Sequence, residues 1–336
     1  MEISIVVPIY NEEECLDALV SKLHDAMAAT RRSYEIVLVD DGSKDGSWDR
    51  MISLSKQYPC LHLIRFRRNF GQTAAMSAGF NESHGQIIIT IDADLQNDPC
   101  DIPRLLEQID KGFDVVSGWR RDRKDAFINR RLPSILANGL ISRITGVHLH
   151  DYGCTLKAYR REIVQNIQLY GELHRFIPAL ASWVGGQISE VVVTHHPRRF
   201  GTSKYGIGRT LRVVLDLVTV NFLLRYSTRP IHVFGKWGLI SGSLGILMLA
   251  GIVLAHASFR IFGTEVGAEL VKRPFWVITP FMLIFFGLQF ISMGLLAELQ
   301  MRTYHESQEK PIYVIRESRD VLETALFQHA QGNHRI

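Results

Sequence analysis

Short apolar runs alternate with amphipathic segments over the first third of the chain. The apolar runs are rich in Val, Ile and Leu, as buried strands are, and they lie at Ile3–Val7, Ile36–Val39, Leu61–Phe66, Ile87–Ile91 and Val115–Val116. Between them, apolar residues recur at helical spacing in Glu13–Ala29, Ser47–Tyr58, Thr73–Ser83 and Ile102–Lys111. This alternation predicts an α/β fold with a mostly parallel sheet that helices cover on both faces.

Polar motifs follow the predicted strands. They read "PIYNEEE", "VDDGSKD", "RRNFGQ" and "DADLQND". Ligands bind beyond the carboxyl ends of the strands in sheets of this kind. We therefore expect the four motifs to converge on one crevice.

The stretch "TIDADLQND" places three cation-binding side chains at alternate positions after an apolar run. They are Asp92, Asp94 and Gln96. If strand geometry continues, these side chains share a face, and their oxygens suit Mg²⁺ or Mn²⁺. One Asp-x-Asp arises by chance in a chain of this length, and a polar turn at Asp94 is the alternative. The surrounding motifs favour the metal site.

Two long uncharged stretches, Trp237–Phe259 and Pro274–Ala297, follow the α/β region. Each is long enough, as a helix, to cross a hydrocarbon core of about 30 Å. Buried core helices are the alternative, which the occurrence of two such stretches disfavours. Residues 206–228 are apolar with interspersed arginines, which predicts a helix in the headgroup layer or, alternatively, an ordinary amphipathic domain helix.

These features predict a catalytic domain at residues 1–205, interfacial helices at 206–230, two transmembrane helices within 231–299 (about 234–258 and 275–298) and a cytoplasmic tail at 300–336. Two spans return the chain to its starting side of the bilayer. The N-terminus has no signal-peptide layout, and cationic residues flank the spans on the side of the front domain. We therefore expect an inner-membrane protein whose catalytic domain faces the cytoplasm.

Charge, cysteine spacing and histidine spacing narrow the choice of partners and metal sites. The chain has 336 residues and a formal net charge of +4, which does not indicate nucleic acid but suits an anionic lipid surface. Its four cysteines show no zinc spacing and predict reduced, structural thiols. The thirteen histidines, including the pair at 195–196, show no metal spacing and are interpreted as structural.

Six motifs in order, followed by two apolar stretches, carry a family resemblance. They are "VVPIYNEE", "VDDGSKD", "RNFGQ", "DADLQNDP", "DYGCTLKAYRRE" and "RRFGTSKY". The chain resembles the family 2 inverting glycosyltransferases that load polyprenyl phosphate, most closely the ArnC-type undecaprenyl-phosphate 4-deoxy-4-formamido-L-arabinose transferases. GtrB-type glucosyltransferases and dolichyl-phosphate mannose synthases resemble it less. The Q-x-x-R-W run of processive polysaccharide synthases does not occur.

The resemblance implies a GT-A, Rossmann-like nucleotide-sugar domain. The implied reaction moves a sugar from a nucleotide sugar to undecaprenyl phosphate. The donor is expected to be UDP-linked, with UDP-4-deoxy-4-formamido-L-arabinose and UDP-glucose as the two candidates. A GT-A enzyme with a hydroxyl acceptor is the alternative. Expected partners are the donor, the polyprenyl phosphate, the bilayer and, as an open alternative to a monomer, a second copy of the chain.

On the donor side, the resemblance implies that Asp94 and Gln96 bind the metal, with Asp92 beside them or on the ribose. The implied donor pocket consists of Pro8, Tyr10, Glu12, Asp40, Asp41, Gln72 and Asp92. A β-turn with a helix cap at Ser43 is the alternative interpretation of "VDDGS".

On the acceptor side, the resemblance implies a basic cluster that binds the lipid phosphate. It consists of Arg120, Arg130, Lys157, Arg198, Ser203 and Lys204. A solvated basic face is the alternative. Many relatives carry Arg at the Lys157 position, which leaves bidentate binding there open. Asp151 is the candidate general base. A phosphate acceptor is already anionic and needs no strong base, so the alternative is that Asp151 orients the sugar or the residues that bind the phosphate.

Overall fold

The structure, a computed structural model, describes residues 1–121, 138–139, 141–143, 145–167, 169, 173–197, 231–262, 273–307 and 313–320. The chain divides into two units, Met1–Val220 with Pro311–Ile336, and Asn221–Lys310. A mixed sheet forms the centre of the first unit. Its strands are β1 (Ile3–Ile9), β2 (Tyr34–Asp40), β3 (Leu61–Phe66), β4 (Ile87–Thr90), β5 (Val115–Trp119), β6 (Lys157–Arg160), β7 (Ile188–Val192) and β8 (Ile315–Asp320).

Helices follow most of these strands. They are α1 (Leu16–Thr30), α2 (Ser47–Ser55), α3 (Gln72–Glu82), α4 (Ile102–Asp110), α5 (Arg161–Gln165) and α6 (Ile177–Trp183), with 3₁₀ turns at Glu13–Cys15, Pro99–Asp101 and Leu173–Phe176. The four helices predicted between the first five strands are present, although α1 begins with a 3₁₀ turn and α2 ends three residues early, at Ser55.

The strands lie in the order β7-β5-β6-β4-β1-β2-β3-β8. The strands β4, β1, β2 and β3 are parallel, whereas β6 and β8 run antiparallel to their neighbours. The chain leaves β1 toward β2 on one side and later crosses to β4 on the other, so a crevice opens between the carboxyl ends of β1 and β4. The predicted α/β class is confirmed.

Burial of β-branched and leucine side chains explains why these segments form a sheet. Ile5 and Ile36 on neighbouring strands are fully buried, as are Leu19 and Leu23 of α1. Each such side chain contributes about 1.5–3 kcal/mol on leaving water. The strand faces and the apolar stripe of α1 therefore form one core, and the polar motifs are left at the strand ends.

The strand β8 was not predicted from the sequence. Tyr313, which precedes it, is only 7% exposed. Its ring stacks on Phe66 at 5.2 Å, and its hydroxyl accepts a hydrogen bond of 2.9 Å from Asn81 Nδ2. The chain after the second apolar stretch thus returns to the sheet of the first unit, where β8 pairs with β3.

The second unit contains the helices α7 (Ile231–Phe262) and α8 (Pro274–Ser307). Their segments Phe234–Ile261 and Pro274–Ala297 are long and apolar enough to cross a membrane. Most of their large side chains are exposed, with Leu254 at 70%, so these are not the core helices of a soluble protein. The predicted interfacial segment 206–230 lies outside the described residues.

Close backbone approach joins α7 to α8. A Cβ atom at Gly287 would lie 2.7 Å from the Gly238 oxygen and 2.8 Å from the Gly242 nitrogen, too close for any side chain. Ser241 Oγ also donates a hydrogen bond of 2.8 Å to the Leu283 carbonyl. Small residues and hydroxyl bonds of this kind are typical contacts between membrane helices.

Candidate active site

Asp41, directly after β2, joins two of the motifs. Its carboxylate accepts hydrogen bonds from the backbone N–H of Phe70, at 2.6 Å, and of Gly71, at 2.9 Å. Gly71 has a φ of 97°, a conformation that favours glycine. Burial raises the pKa of Asp41 to about 6, although both N–H bonds act in the opposite direction. Asp41 therefore fixes the "RRNFGQ" loop.

Asp40 has partners within its own motif. Its Oδ1 accepts a hydrogen bond of 2.9 Å from the Ser43 N–H, and its Oδ2 lies 3.3 Å from Arg65 Nε. Ser43 does not cap α2, which follows Gly46; its Oγ instead accepts a hydrogen bond of 2.9 Å from the Asn11 N–H. The cap that the sequence offered for Ser43 is wrong because the hydroxyl fixes the loop after β1.

The loops after β1, β2 and β3 line a cavity of ≈ 480 Å³ together with a residue of β8. Its lining is rich in cationic side chains and consists of Tyr10, Gly42, Ser43, Lys44, Arg65, Phe66, Arg67, Arg68, Asn69 and Arg316. Such a lining suits an anionic or hydrogen-bonding ligand. Three of the four predicted motifs meet here.

The donor residues at the end of β1 lie in the same region. Pro8 is inside β1, where it pairs with Val39, and Glu12 donates its N–H to Ser47 Oγ at 3.0 Å. Burial, and then the charge of Glu12, raise the pKa of the Cys15 thiol to about 11, and the charge of Asp94 contributes in the same direction. The charges of Glu12 and Asp94 thus both act on the 3₁₀ turn that precedes α1.

The backbone turns sharply within "DADLQND". The strand β4 ends at Thr90, and Leu95 has a φ of 58°. Asp94 Oδ1 accepts a hydrogen bond of 3.1 Å from the Gln96 N–H, which closes a local turn. Strand alternation therefore does not align Asp92, Asp94 and Gln96, and that part of the sequence argument is wrong. The turn, rather than the strand, sets where the side chains lie.

Asp92 interacts with residues of both the predicted donor set and the predicted acceptor set. Its Oδ1 accepts a hydrogen bond of 2.7 Å from Nε2 of Gln72, the first residue of α3. Burial, and then the negative charge of Asp94, raise the pKa of Asp92, whereas the charges of Arg120 and Lys157 lower it. A buried carboxylate whose ionisation a neighbouring carboxylate disfavours fits a divalent cation, which would compensate the negative charge.

Arg120 and Asp151 form a buried bidentate pair. Arg120 Nε lies 2.7 Å from Asp151 Oδ2, and Nη2 lies 3.1 Å from Oδ1, while the side chains are 12% and 3% exposed. Asp151 Oδ1 also accepts a hydrogen bond of 3.1 Å from the Gly153 N–H. Burial lowers the pKa of Arg120, but the charge and bonds of Asp151 outweigh burial and raise it.

Lys157 begins β6 and is buried beside this pair. Its Nζ donates a hydrogen bond of 3.1 Å to the Tyr152 carbonyl. Burial lowers the pKa of Lys157 to about 8, and the charge of Arg120 acts in the same direction, opposed by Asp151. Burial therefore disfavours the charged ammonium of Lys157, and an additional anion nearby would stabilise it.

Glu190, on β7, holds the Asp151 loop and was missed by sequence reasoning. It accepts hydrogen bonds from the N–H groups of His150, at 3.0 Å, and Asp151, at 3.1 Å. The His150 ring pairs with the same carboxylate at 2.7 Å and stacks on Trp119 at 4.0 Å. No local motif marks Glu190, because its partners lie about 40 residues away in the chain.

The segment that leads into "RRFGTSKY" is attached to the Asp-x-Asp loop. His195 forms a β-bridge with Asn97, the His196 N–H donates to the Gln96 carbonyl at 2.8 Å, and the His196 ring lies 2.8 Å from Asp98. The interpretation of these histidines as structural agrees with these contacts. The remaining predicted acceptor residues, Arg130, Arg198, Ser203 and Lys204, lie outside the described residues.

A profile of glycosyl transferase family 2 matches residues 4–168. A dodecaprenyl-phosphate galacturonate synthase from Rhizobium johnstonii is 44% identical over 94% of this chain and 93% of its own length. An undecaprenyl-phosphate 4-deoxy-4-formamido-L-arabinose transferase from Yersinia pestis (strain Pestoides F) is 38% identical over the same shares.

Solved structures agree on the fold. A crystal structure of glucosyl-3-phosphoglycerate synthase from Mycobacterium tuberculosis, in complex with Mn²⁺, UDP and glucosyl-3-phosphoglycerate, superposes with a TM-score of 0.51 at 17% identity. The match covers 66% of this chain and 79% of that chain. The expected GT-A fold is confirmed.

Proposed function

Because the chain belongs to glycosyl transferase family 2, we propose that this glycosyltransferase moves a sugar from a nucleotide sugar to polyprenyl phosphate at a membrane surface. Two relatives that carry a polyprenyl-phosphate acceptor in their names align over 93% of their own length, which includes the region after the GT-A domain. Two apolar helices, each long enough to cross a membrane, supply a route to a lipid acceptor.

The observation that carries this proposal is the ion pair of Arg120 with Asp151. Transfer to a hydroxyl group requires a general base within reach of that hydroxyl. Both oxygens of Asp151 are bonded to one guanidinium, which stabilises the ionised carboxylate and makes it a weak base. A phosphate oxygen is anionic at neutral pH and attacks without a base. The arrangement therefore favours a phosphate acceptor over a hydroxyl acceptor.

A divalent cation fits Asp92 and Asp94, whose charges oppose each other, and we assign Gln96 as a further ligand by family resemblance. Bound there, Mg²⁺ or Mn²⁺ would stabilise the charge that develops on the departing diphosphate. Gln72 holds Asp92 by its side-chain amide and so orients the carboxylate toward the donor. Titration of the apoenzyme with each ion distinguishes Mg²⁺ from Mn²⁺.

For the donor nucleotide we propose the cavity between Tyr10 and Arg316, with Tyr10 beside the base. The carboxylates of Asp40 and Asp41 hold the loops that line this cavity, so each shapes the pocket through backbone contacts. UDP is the proposed nucleotide.

For the lipid phosphate we propose Lys157 and Arg120, together with Arg130, Arg198, Ser203 and Lys204, which the family resemblance adds. Lys157 is buried and its charge is incompletely compensated, so an incoming phosphate would raise its pKa and stay bound. Arg120 reaches the same region but is oriented by Asp151. Arg120 and Lys157 act electrostatically on Asp92, which also accepts a hydrogen bond from Gln72 of the proposed donor set, so the two proposed sets adjoin at Asp92.

We further propose that the catalytic unit faces the cytoplasm from the inner membrane. Arg225 and Arg229 precede α7 in the sequence, Lys236 lies near its start, and Arg302 follows the apolar segment of α8, so these cations flank the spans at the ends nearest the front domain in the chain. Labelling of single cysteines in intact cells with an impermeant reagent tests this orientation.

The identity of the transferred sugar is proposed from the relatives. Higher identity to the galacturonate synthase than to the formamido-arabinose transferase, 44% against 38%, favours a uronate donor. The test uses purified full-length protein in nanodiscs with undecaprenyl phosphate and a panel of UDP-galacturonate, UDP-4-deoxy-4-formamido-L-arabinose and UDP-glucose. We expect UDP release that depends on the lipid phosphate for one sugar. UDP release without lipid dependence for every sugar would contradict the proposed acceptor.

A further inference from the structure

We propose that Glu35, His62 and His84 form a second cation site, for Zn²⁺ or a similar transition metal, at the amino ends of the central strands. One ligand atom from each side chain lies within 4.8 Å of the other two. Glu35 is near the start of β2, His62 is near the start of β3, and His84 lies between α3 and β4. The site is independent of the proposed transferase function.

The sheet register brings two of these side chains together. His62 is paired with Val37, which is two residues after Glu35 on β2. Because side chains two apart on a strand share a face, Glu35 and His62 project from the same face. Glu35 and Asp40 are at opposite ends of β2, about 16 Å apart at about 3.3 Å per residue. This cluster is therefore separate from the carboxylates of the active site.

The closest pair already has the spacing of two ligands on one ion. Glu35 Oε2 lies 3.2 Å from His84 Nδ1. Ligand atoms at about 2.0–2.1 Å from a tetrahedral ion are about 3.3 Å from each other. The His84 side chain is 60% exposed, so the site is open to solvent on that side and the ring is able to turn. A cation has a path of entry along the ring.

His62 has a buried ring nitrogen that hydrogen bonds within the cluster do not satisfy. His62 is 4% exposed, and its Nδ1 is buried without a hydrogen-bond partner in the described part of the chain. Its Nε2 lies 3.2 Å from Ser318 Oγ. When Nε2–H donates to that oxygen, Nδ1 carries the lone pair that a metal requires. An orphaned buried nitrogen is uncommon, and a metal bond would satisfy it.

Glu35 has the outer contacts of a metal ligand. Its Oε1 accepts hydrogen bonds of 2.5 Å from Ser4 Oγ and 2.6 Å from the His84 N–H, which leaves Oε2 for the cation. Ser4 Oγ in turn accepts from the Gly85 N–H at 2.7 Å. The carboxylate is therefore held in place before any metal binds.

The donor set selects the class of metal. Two imidazole nitrogens and one carboxylate oxygen suit Zn²⁺, Co²⁺ or Ni²⁺, with water as a fourth ligand, whereas Mg²⁺ and Ca²⁺ require mostly oxygen ligands. The metal would join β2, β3 and the loop before β4. The hydrogen bond between Ser318 Oγ and His62 Nε2 would link the metal site to β8.

The test measures metal binding on purified full-length protein whose affinity tag has been removed. The chelator-treated protein is titrated with Zn²⁺ by calorimetry and with Co²⁺ by visible absorption, in excess Mg²⁺ to occupy the active site. We expect one tight Zn²⁺ equivalent and a Co²⁺ spectrum of tetrahedral type. His84→Ala should weaken both by at least about tenfold, since it removes a ligand outright.

Two further variants keep the outcome decisive. His84→Cys replaces one zinc ligand by another, so it should retain Zn²⁺ and add a thiolate band to the Co²⁺ spectrum. His24→Ala removes another exposed histidine, bonded to Tyr34, and should leave binding unchanged. UDP binding by each variant reports on its fold. The proposal would be overturned if wild type and His84→Ala bound Zn²⁺ with equal affinity. It would also be overturned if Asp94→Asn bound no Zn²⁺, because all of the zinc would then bind at the active site.

Discussion

Arg120 and Asp151 form a two-bond ion pair that engages both oxygens of the candidate base. Nε lies 2.7 Å from Oδ2 and Nη2 lies 3.1 Å from Oδ1, with little of either side chain exposed. The guanidinium also lowers the pKa of Asp92, so the pair acts on the residue that we assign to the metal. The pair leaves Asp151 engaged by a cation, which suits the proposed phosphate acceptor because an anionic phosphate needs no general base.

Asp151→Asn is expected to act through stability and orientation rather than through loss of a base. The substitution leaves Arg120 buried without its counter-charge, which costs about 3–5 kcal/mol. The thermal unfolding midpoint should therefore fall, while the pH–rate profile of the residual activity keeps the shape of the wild-type profile. Thermal unfolding and rates at several pH values measure the two effects.

The double variant Arg120→Gln with Asp151→Asn is the control for this prediction. Two neutral amides remove the unpaired charge, so much of the lost stability should return. The KM for the lipid phosphate should nevertheless be higher than in the wild type, because the Arg120 charge is lost. A carboxylate-like limb that is present in the wild-type profile and absent from Asp151→Asn would identify Asp151 as a base and contradict the account.

Asp94→Asn is expected to abolish turnover, because it removes a charged ligand from the metal. A loss of several kcal/mol in the transition state corresponds to a rate decrease of at least about 100-fold. Removal of divalent ions with EDTA should have the same effect on the wild type and be reversed by Mg²⁺ or Mn²⁺. Electron paramagnetic resonance of Mn²⁺ in the presence of UDP measures the binding directly.

Asp98→Asn is the matched control in the same loop. Asp98 bonds to the Cys100 N–H and to His196, so its loss should leave the Mn²⁺ affinity unchanged. If Asp94→Asn kept more than about a tenth of the wild-type rate, or if both variants lost Mn²⁺ affinity equally, the assignment of the metal to Asp94 would be wrong.

The sequence predicted the strand ends, the crevice and the two apolar helices because each depends on a local pattern. It did not predict β8, whose residues "IRESRD" are mostly charged and form a strand only by pairing with the edge of β3. It missed Glu190 and the pairing of His62 with Glu35, since both depend on contacts between distant segments. It wrongly continued the strand alternation from Asp92 to Gln96, because the left-handed turn at Leu95 has no glycine to mark it.

The return of β8 changes what a truncation means. Removal of everything after Arg229 would delete β8 and expose the edge of β3, so a fragment of residues 1–229 is not an intact catalytic unit. A poor activity of that fragment would not by itself test the role of the membrane helices. Point substitutions in the full chain are the sharper experiment.

Arg316→Ala is expected to weaken UDP binding, because this side chain of β8 lines the proposed nucleotide cavity. The loss of one charge-assisted contact of about 1.5–3 kcal/mol raises the Kd for UDP by roughly 10-fold to 150-fold. Calorimetry on the full-length protein gives the Kd. Arg319→Ala, on the same strand but paired with Glu317, should bind UDP as the wild type does. Equal affinity in both variants would remove β8 from the donor site.

Gly287→Leu is expected to destabilise the helix pair of the second unit, because its Cβ would lie 2.7 Å from the Gly238 oxygen. Overpacking of this kind costs about 1–3 kcal/mol or separates the helices. Gly251→Leu is the control, since its Cβ would meet nothing within 4 Å. Thermal unfolding in detergent should show a lower midpoint for Gly287→Leu alone. Equal midpoints would show that α7 and α8 do not pack through Gly287.

The most direct measurement of the central claim compares two acceptors that differ only in the phosphate. Full-length protein in nanodiscs receives a radiolabelled UDP-sugar and either undecaprenyl phosphate or undecaprenol at the same concentration. We predict label in a chloroform-soluble product, cleaved by mild acid and inverted at the anomeric carbon, with undecaprenyl phosphate, and none with undecaprenol. Transfer to undecaprenol at a comparable rate would mean that the enzyme activates a hydroxyl group, and it would contradict the account of Arg120 and Asp151.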